Sequence, residues 1–241
     1  AYAYISLDQP RPMGIAVTHI VGEQMGALFG TSFVRDGSGN IVHENEAGYP
    51  RPKINNDRKI LGFGIAPQQL GIGASFRYKD FNASFLIEGK SGGSMYSGTN
   101  LEMLGRGLHK MTVPTGGREA GFVPNGVMED GTPVSQSLSV QEQQNYWNRY
   151  NDAAESGIYT SDYMRLRQLS IGYTVPSSAL DGTFIQSASV SLIGKNLFFI
   201  SNDVENIDPE SAYNASSRNT GLEYWGMPVP RTVGVNVNLK F

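Results

Sequence analysis

From Val233 to Phe241, apolar residues alternate strictly with Gly234, Asn236, Asn238 and Lys240. Side chains on a strand point to opposite faces with a period of two, so this segment predicts a strand with one oily and one polar face. The same period recurs upstream. Leu70, Ile72, Ala74, Phe76 and Tyr78 alternate with Gly71, Gly73, Ser75 and Arg77. After the turn Tyr78-Lys-Asp-Phe81 the pattern resumes with Ala83, Phe85 and Ile87 against Asn82, Ser84 and Glu88, Leu86 alone falling on the polar side. This spacing predicts a hairpin with a tight connection. Between Asp162 and Pro176, Leu169, Ile171, Tyr173 and Val175 share one face, and Gln168, Ser170, Gly172 and Thr174 the other. Extending that parity upward puts Arg165 and Arg167 on the oily side, reaching past the hydrocarbon layer to lipid head groups if the strand spans a membrane. The alternative is a bulge that swaps faces. Over 186–198, Ala188, Val190 and Leu192 oppose Ser187, Ser189 and Ser191. A serine-lined face suits a wet lumen or a plug better than a dry core.

The segments between these strands are unequal. Turns at 79–80 and 176–183 are short, whereas 91–161 and 199–228 are long and rich in Gly, Pro and polar residues. Outer-membrane barrels show this alternation of tight turns and large extracellular loops. Within the first long loop, Ser139-Val-Gln-Glu142 has capping-box spacing ahead of an aromatic-rich stretch, predicting a short helix. Its Tyr146, Trp147 and Tyr150 either form a platform that stacks on sugars or pack the loop against itself; packing is the favoured reading. Tyr224 and Trp225 are the candidate contact residues of the second loop. Residues 1–60 do not separate barrel wall from loop. There, Met25–Arg35 and Ile41–His43 flank Asp36-Gly-Ser-Gly-Asn40 as a hairpin, and Gly48-Tyr-Pro-Arg-Pro52 breaks regular structure.

Composition narrows the function. With net charge −3 and 17% charged residues, the chain lacks the basic surface of a nucleic-acid binder. It has no cysteine, which excludes disulfides and thiol chemistry. His19, His43 and His109 lie far apart and read as surface or loop residues, so no metal site or cofactor is expected of them. Asp203, Glu205, Asp208 and Glu210 cluster in one loop but lack EF-hand spacing, and a solvated loop is favoured over a calcium site. Gly194-Lys195-Asn196 lacks the upstream Gly and following Ser or Thr of a phosphate-binding loop. Asn82-Ala-Ser84 and Asn214-Ala-Ser216 match a glycosylation pattern common by chance. Nothing resembles a nucleophile elbow, a His-Glu-x-x-His site or a catalytic carboxylate pair, so an enzyme is not expected. No run of about 18 apolar residues forms a transmembrane helix, a test that β-strands escape. The chain opens without Met and without a basic, apolar leader, and reads as a mature product or a fragment.

Four stretches together carry a family resemblance: Asp162-Tyr-Met-Arg-Leu-Arg-Gln-Leu-Ser-Ile-Gly-Tyr-Thr-Val-Pro176, Gly194-Lys-Asn-Leu-Phe198, Asp208-Pro-Glu210, and Pro228-Val-Pro-Arg-Thr232 before the terminal alternation. They resemble the end of a SusC/RagA-type TonB-dependent transporter, and Val21–Gly30 and Tyr78–Phe81 resemble its upstream segments. The resemblance implies an all-β fold: an antiparallel transmembrane segment of a 22-stranded barrel with long extracellular loops. It implies TonB-driven import of oligosaccharide or peptide across the outer membrane of a Gram-negative bacterium, with a SusD-like surface lipoprotein over the mouth. It also implies that Phe241 is the tag read by the barrel-assembly machinery. Five or six strands cannot close in lipid, so the remainder of the same transporter, with its plug and TonB contact, is expected outside this sequence. Two rivals from other classes stand beside this reading. One is a secreted β-sandwich that binds carbohydrate; the other is a polysaccharide-degrading β-enzyme, for which residues are lacking.

Overall fold

The computed structural model describes residues 14–211 and 220–241, so the first thirteen residues and the Asn214-Ala-Ser216 motif lie outside it. In chain order the strands are β1 (Ile15–Thr18), β2 (Ala27–Phe33), β3 (Val42–Glu44), β4 (Arg51–Pro52), β5 (Ile54–Phe63), β6 (Gln68–Tyr78) and β7 (Phe81–Ser91). Then follow β8 (Ser94–Ser97), β9 (Val127–Met128), β10 (Ile158–Thr160), β11 (Tyr163–Thr174), β12 (Ser187–Asn202), β13 (Leu222–Glu223) and β14 (Thr232–Lys240). Two helices, α1 (Gly98–Gly105) and α2 (Val140–Asn151), both fall between β8 and β10. The chain divides into two units. One gathers the residues up to Ile65 with Gly93–Thr160 and Ser211–Met227; the other holds Ala66–Gly92, Ser161–Glu210 and Pro228–Phe241.

The second unit is a single antiparallel sheet in the order β14-β12-β11-β7-β6, and it is not closed. Its strands are those that the alternation predicts. In the β6–β7 hairpin Tyr78 lies directly opposite Phe81, leaving a two-residue turn in which Lys79 takes φ 54°. Leu86, the residue out of phase, lies opposite Gly73 on the polar face. The β12–β14 register sets Ser187, Ser189 and Ser191 against Lys240, Asn238 and Asn236, as a serine-lined polar face requires. At Gly172 a Cβ would lie 2.5 Å from Asn82 Oδ1 and 2.7 Å from Ser191 Oγ, so glycine lets these polar side chains close over the strand.

The first unit departs from the sequence reading. The stretch 91–161 is not an irregular loop: β8, α1, β9, α2 and β10 lie within it and build a hydrophobic core. Tyr49, Tyr96, Leu101, Leu104, Leu138, Tyr146, Trp147 and Ala154 form that core. Around it stand three small sheets, ordered β1-β2-β5, β10-β8-β13 and β4-β3-β9. The capping box is present as expected: Ser139 Oγ accepts from Glu142 N, and the Glu142 carboxylate accepts from Ser139 N at 2.7 Å. The hairpin through Asp36-Gly-Ser-Gly-Asn40 is present too. Arg35 bridges Ile41, and Asp36 Oδ1 accepts from the backbone N–H of Ser38 and Asn40. Pro52, in a stretch read as a breaker, pairs opposite His43 in a two-residue strand, where a missing N–H is tolerated.

Candidate functional site

The sheet of the second unit has two chemically opposed faces, and the register fixes their members. Across all five strands, Val235, Leu192, Ile171, Ala83 and Phe76 fall in one row, and Val237, Val190, Tyr173, Phe81 and Tyr78 in the next. No charged side chain occurs on this face from Leu70 to Leu239. Its residues are uncovered: Val235 is 67% exposed, Phe76 62% and Leu192 52%. So large a continuous apolar surface marks contact with something other than water. Aromatics gather where the short turns are: Phe81 meets Tyr173 at 4.8 Å between ring centroids, and Phe184 stacks on the terminal Phe241 at 5.6 Å.

Arg165 and Arg167 are not on that face, which corrects the parity extended from Leu169. The register slips between Leu166 and Gln168, and from there upward the strand presents its other edge. Leu166 pairs with Ile87 on the apolar side, and Arg165 with Glu88 on the polar side. The bulge is the physical answer to burying guanidinium groups in an apolar layer, which is costly. Both arginines bind carboxylates of the acidic loop. Arg165 Nη2 donates to Asp208 Oδ2 at 2.6 Å and Arg167 Nη2 to Glu210 Oε1 at 2.6 Å. These two carboxylates are thereby engaged with guanidinium groups, and among the described residues no group of three His, Asp or Glu side chains is arranged to hold a metal ion. Gly194-Lys195-Asn196 serves the same region as a structural bend: Asn196, at φ 53°, accepts from Arg167 and donates to Pro230 O.

In the first unit the structure gives Tyr146 and Trp147 to the core, at 3% and 6% exposure, with Tyr150 packed against them. Phe122 and Tyr146 meet at 5.3 Å, edge to face, as do Tyr146 and Trp147 at 5.2 Å. A sugar stacks on a free ring face, and these two rings offer little. An open cavity of about 440 Å³ borders them, shared with Phe122, Met111, Asn40 and Asn125. His43 is buried rather than at the surface, its Nε2 3.3 Å from Tyr146 Oη and its Nδ1 3.2 Å from Ile41 O. Burial holds its pKa below the ordinary histidine value. His109 is buried as well, and its Nδ1 accepts from Met111 N at the start of a turn.

Tyr224 and Trp225 are held differently. Glu223 is 1% exposed; its carboxylate accepts from Ser97 Oγ at 2.7 Å, Thr99 Oγ1 at 2.6 Å and Gly226 N at 2.9 Å. Ser97 caps α1, so the carboxylate lies at a helix start, where negative charge is favoured. Thr99 Oγ1 in turn accepts from Trp225 N at 2.7 Å. The result is a tight loop with Trp225 at φ 55°, sparsely populated for an aromatic residue, and its ring 62% exposed. The Tyr224 ring fills the space over Gly98, where a Cβ would lie 2.2 Å from it. Glu223 escapes sequence reasoning because nothing marks one glutamate in a loop as buried.

No family model matches the chain. It is 29% identical over 190 residues to TonB-dependent receptor P3 of Formosa agariphila, covering 77% of this chain, and 22% identical over 204 residues to TonB-dependent receptor P39 of the same organism, covering 84%. The chain spans 17% and 19% of the length of these relatives. Among solved structures it resembles the RagAB peptide importer in the open-open state, with TM-score 0.61 and 15% identity over 97% of this chain and 24% of that one. The closed-closed state gives TM-score 0.60 at 13% identity over the whole of this chain and 25% of that one. These curated relatives are named TonB-dependent receptors, and the solved importer shares the fold of this chain.

Proposed function

We propose that the five-stranded sheet is an arc of a closed 22-stranded barrel wall, part of an importer that moves glycan fragments or peptides under TonB control. The observation that carries this is the uncharged apolar face running unbroken across five strands, backed by a polar face of Ser, Asn, Gln and Gly with charged residues such as Arg77, Glu88 and Lys240. In a bilayer every backbone N–H and C=O needs a partner, so the free edges of β6 and β14 call for further strands of the same wall. The serine and asparagine face then lines the passage. Tyr224 and Trp225, held out by the Glu223 loop, are the proposed contact for substrate or for a SusD-like surface lipoprotein. Trp and Tyr dominate such contacts because they combine large area with few rotatable bonds.

The sandwich alternative asks for a second sheet over Val233, Val235, Val237 and Leu239, and each of these is at least half exposed. The test is uptake by cells in which the full-length receptor carrying this chain is the sole importer for a labelled oligosaccharide or peptide pool. Import that requires TonB, a lipoprotein that co-purifies, and loss of either with Trp225→Ala support the reading. The pool that is imported names the substrate class. A receptor recovered in the soluble fraction, or uptake indifferent to its deletion, overturns it.

A further inference from the structure

The polar face of the sheet carries a charge network that neither transport nor the membrane explains. Arg167 grips Glu210 with a two-point fork, Nη2 to Oε1 at 2.6 Å and Nη1 to Oε2 at 3.0 Å, and its Nε donates to Glu88 at 2.7 Å. Arg165 binds both Glu210 and Asp208, and its guanidinium lies 3.9 Å over the Phe199 ring. Tyr163 Oη donates to Glu210 at 2.8 Å. Burial alone raises the Glu210 pKa, but the hydrogen bonds from Arg167 and Tyr163 and the charges of both arginines outweigh it and hold the carboxyl below its ordinary value. Asp208 reaches further. Its carboxylate accepts from Glu210 N at 2.9 Å and Val229 N at 3.1 Å, joining the segment that leaves β12 to the one that enters β14.

We propose that Arg165 and Arg167 form an ionic latch, and that Asp203–Glu210 is a strap that this latch holds on the polar face of the sheet and that swings free when the latch opens. Three observations point to a releasable strap rather than a fixed part of the fold. Apart from Val204, which is 2% exposed, the strap is held by charge and hydrogen bonds, not by an apolar core. The β11–β12 register runs from Thr174 to Tyr163 and ends where the strap begins, with Asp203 N donating to Asp162 O at 3.1 Å as the last bond before the strap leaves the sheet. The latch also stores an imperfection: Arg165 Nε is buried with no acceptor, so its closed state is not fully satisfied. The bulge that aims Arg167 at the strap, with Asn196 bridging Arg167 and Pro230 O, is a feature a sheet retains when it re-aims side chains.

Hydrogen–deuterium exchange on the full-length receptor in detergent tests this. The variant Asp208→Asn/Glu210→Gln removes the two strap charges that Arg165 and Arg167 bind, and the milder Tyr163→Phe removes one bond to Glu210. With the double variant, amides of 203–210 and Val229 are expected to exchange at least tenfold faster than in the unaltered protein, while those of 187–195 in β12 keep their protection. Tyr163→Phe is expected to fall between. Unchanged exchange of the strap overturns the latch. Loss of protection in β12 alongside the strap also overturns it, because the network would then be a staple of the sheet and not a releasable device. The β12 amides report folding in the same sample, so a misfolded variant cannot pass for an opened latch.

Discussion

The substitution Val235→Lys puts the membrane reading at risk most directly. Val235 is 67% exposed, lies opposite Leu192, and has Val233 and Val237 on either side along its own face. It is six residues from Phe241, a distance of roughly 20 Å along a strand. With the ~40° tilt of barrel strands, this becomes roughly 15 Å along the bilayer normal, near the middle of an apolar band about 25 Å tall. A lysine there costs about 2–4 kcal/mol in lipid. In water the same change is a surface substitution limited by strand propensity, about 1 kcal/mol at most. Asn236→Lys, one residue away on the polar face, serves as control, with an expected effect within about 0.5 kcal/mol. The assay is denaturant unfolding of the full-length receptor reconstituted in lipid vesicles, followed by loss of its folded band on unheated gels. A Val235→Lys penalty that matches the Asn236→Lys control would refute the assignment of this face to lipid.

Other consequences are separable from that one. Ser139→Ala removes the cap of α2 and should destabilise the first unit by about 1 kcal/mol, seen as faster amide exchange in 140–147. His43, with its pKa lowered by burial, makes that unit sensitive to acid. Above about pH 7.5 neither state binds the proton. As pH falls through about 6.5 the unfolded chain is protonated and the folded one is not, so stability drops by up to about 1.4 kcal/mol per pH unit until the folded pKa is reached. His43→Gln should flatten that slope in melting curves taken between pH 5 and 8. Phe241→Asp should lower outer-membrane yield of the full receptor, and Phe184→Ala less so; unchanged yield for Phe241→Asp removes the assembly role of the terminus.

The second unit was legible in the sequence because a sheet with one apolar and one polar face imposes period two on every strand. Leu70–Tyr78, Ala83–Ile87, Leu169–Tyr173, Ala188–Leu192 and Val233–Leu239 all obey it. The first unit was not, because its core is assembled from residues scattered singly among polar neighbours. Leu101, Leu104 and Leu138 come from α1 and a distant bridge segment, and no window contains enough of them to show a period. β5 escaped for a related reason: Asn55-Asn-Asp-Arg58 interrupts its apolar positions, and its pairing with β2 slips twice. For Tyr146, Trp147 and Tyr150 the signal was present. Gln143, Tyr146, Trp147 and Tyr150 recur at three- and four-residue spacing, which on a helix defines one face, and a helix as short as α2 depends on burying that face.

Arg165 and Arg167 show how a violated pattern carries information of its own. In a regular strand they would share a face with Leu169, Ile171 and Tyr173, and two charges would stand in an uncharged apolar layer. Neither could reach Asp208 or Glu210, since residues on opposite faces of a sheet do not meet. One extra residue resolves both demands. It turns the chain by half a period, so that Leu166 and Met164 take over the apolar face while both arginines point toward the acidic strap. The facing strand makes a matching adjustment at Asn196, whose positive φ lets its amide bridge Arg167 and Pro230. A pair of arginines in apolar phase next to an otherwise strict alternation is therefore evidence for a bulge. The distance from that pair to the nearest acidic loop says what the bulge is for.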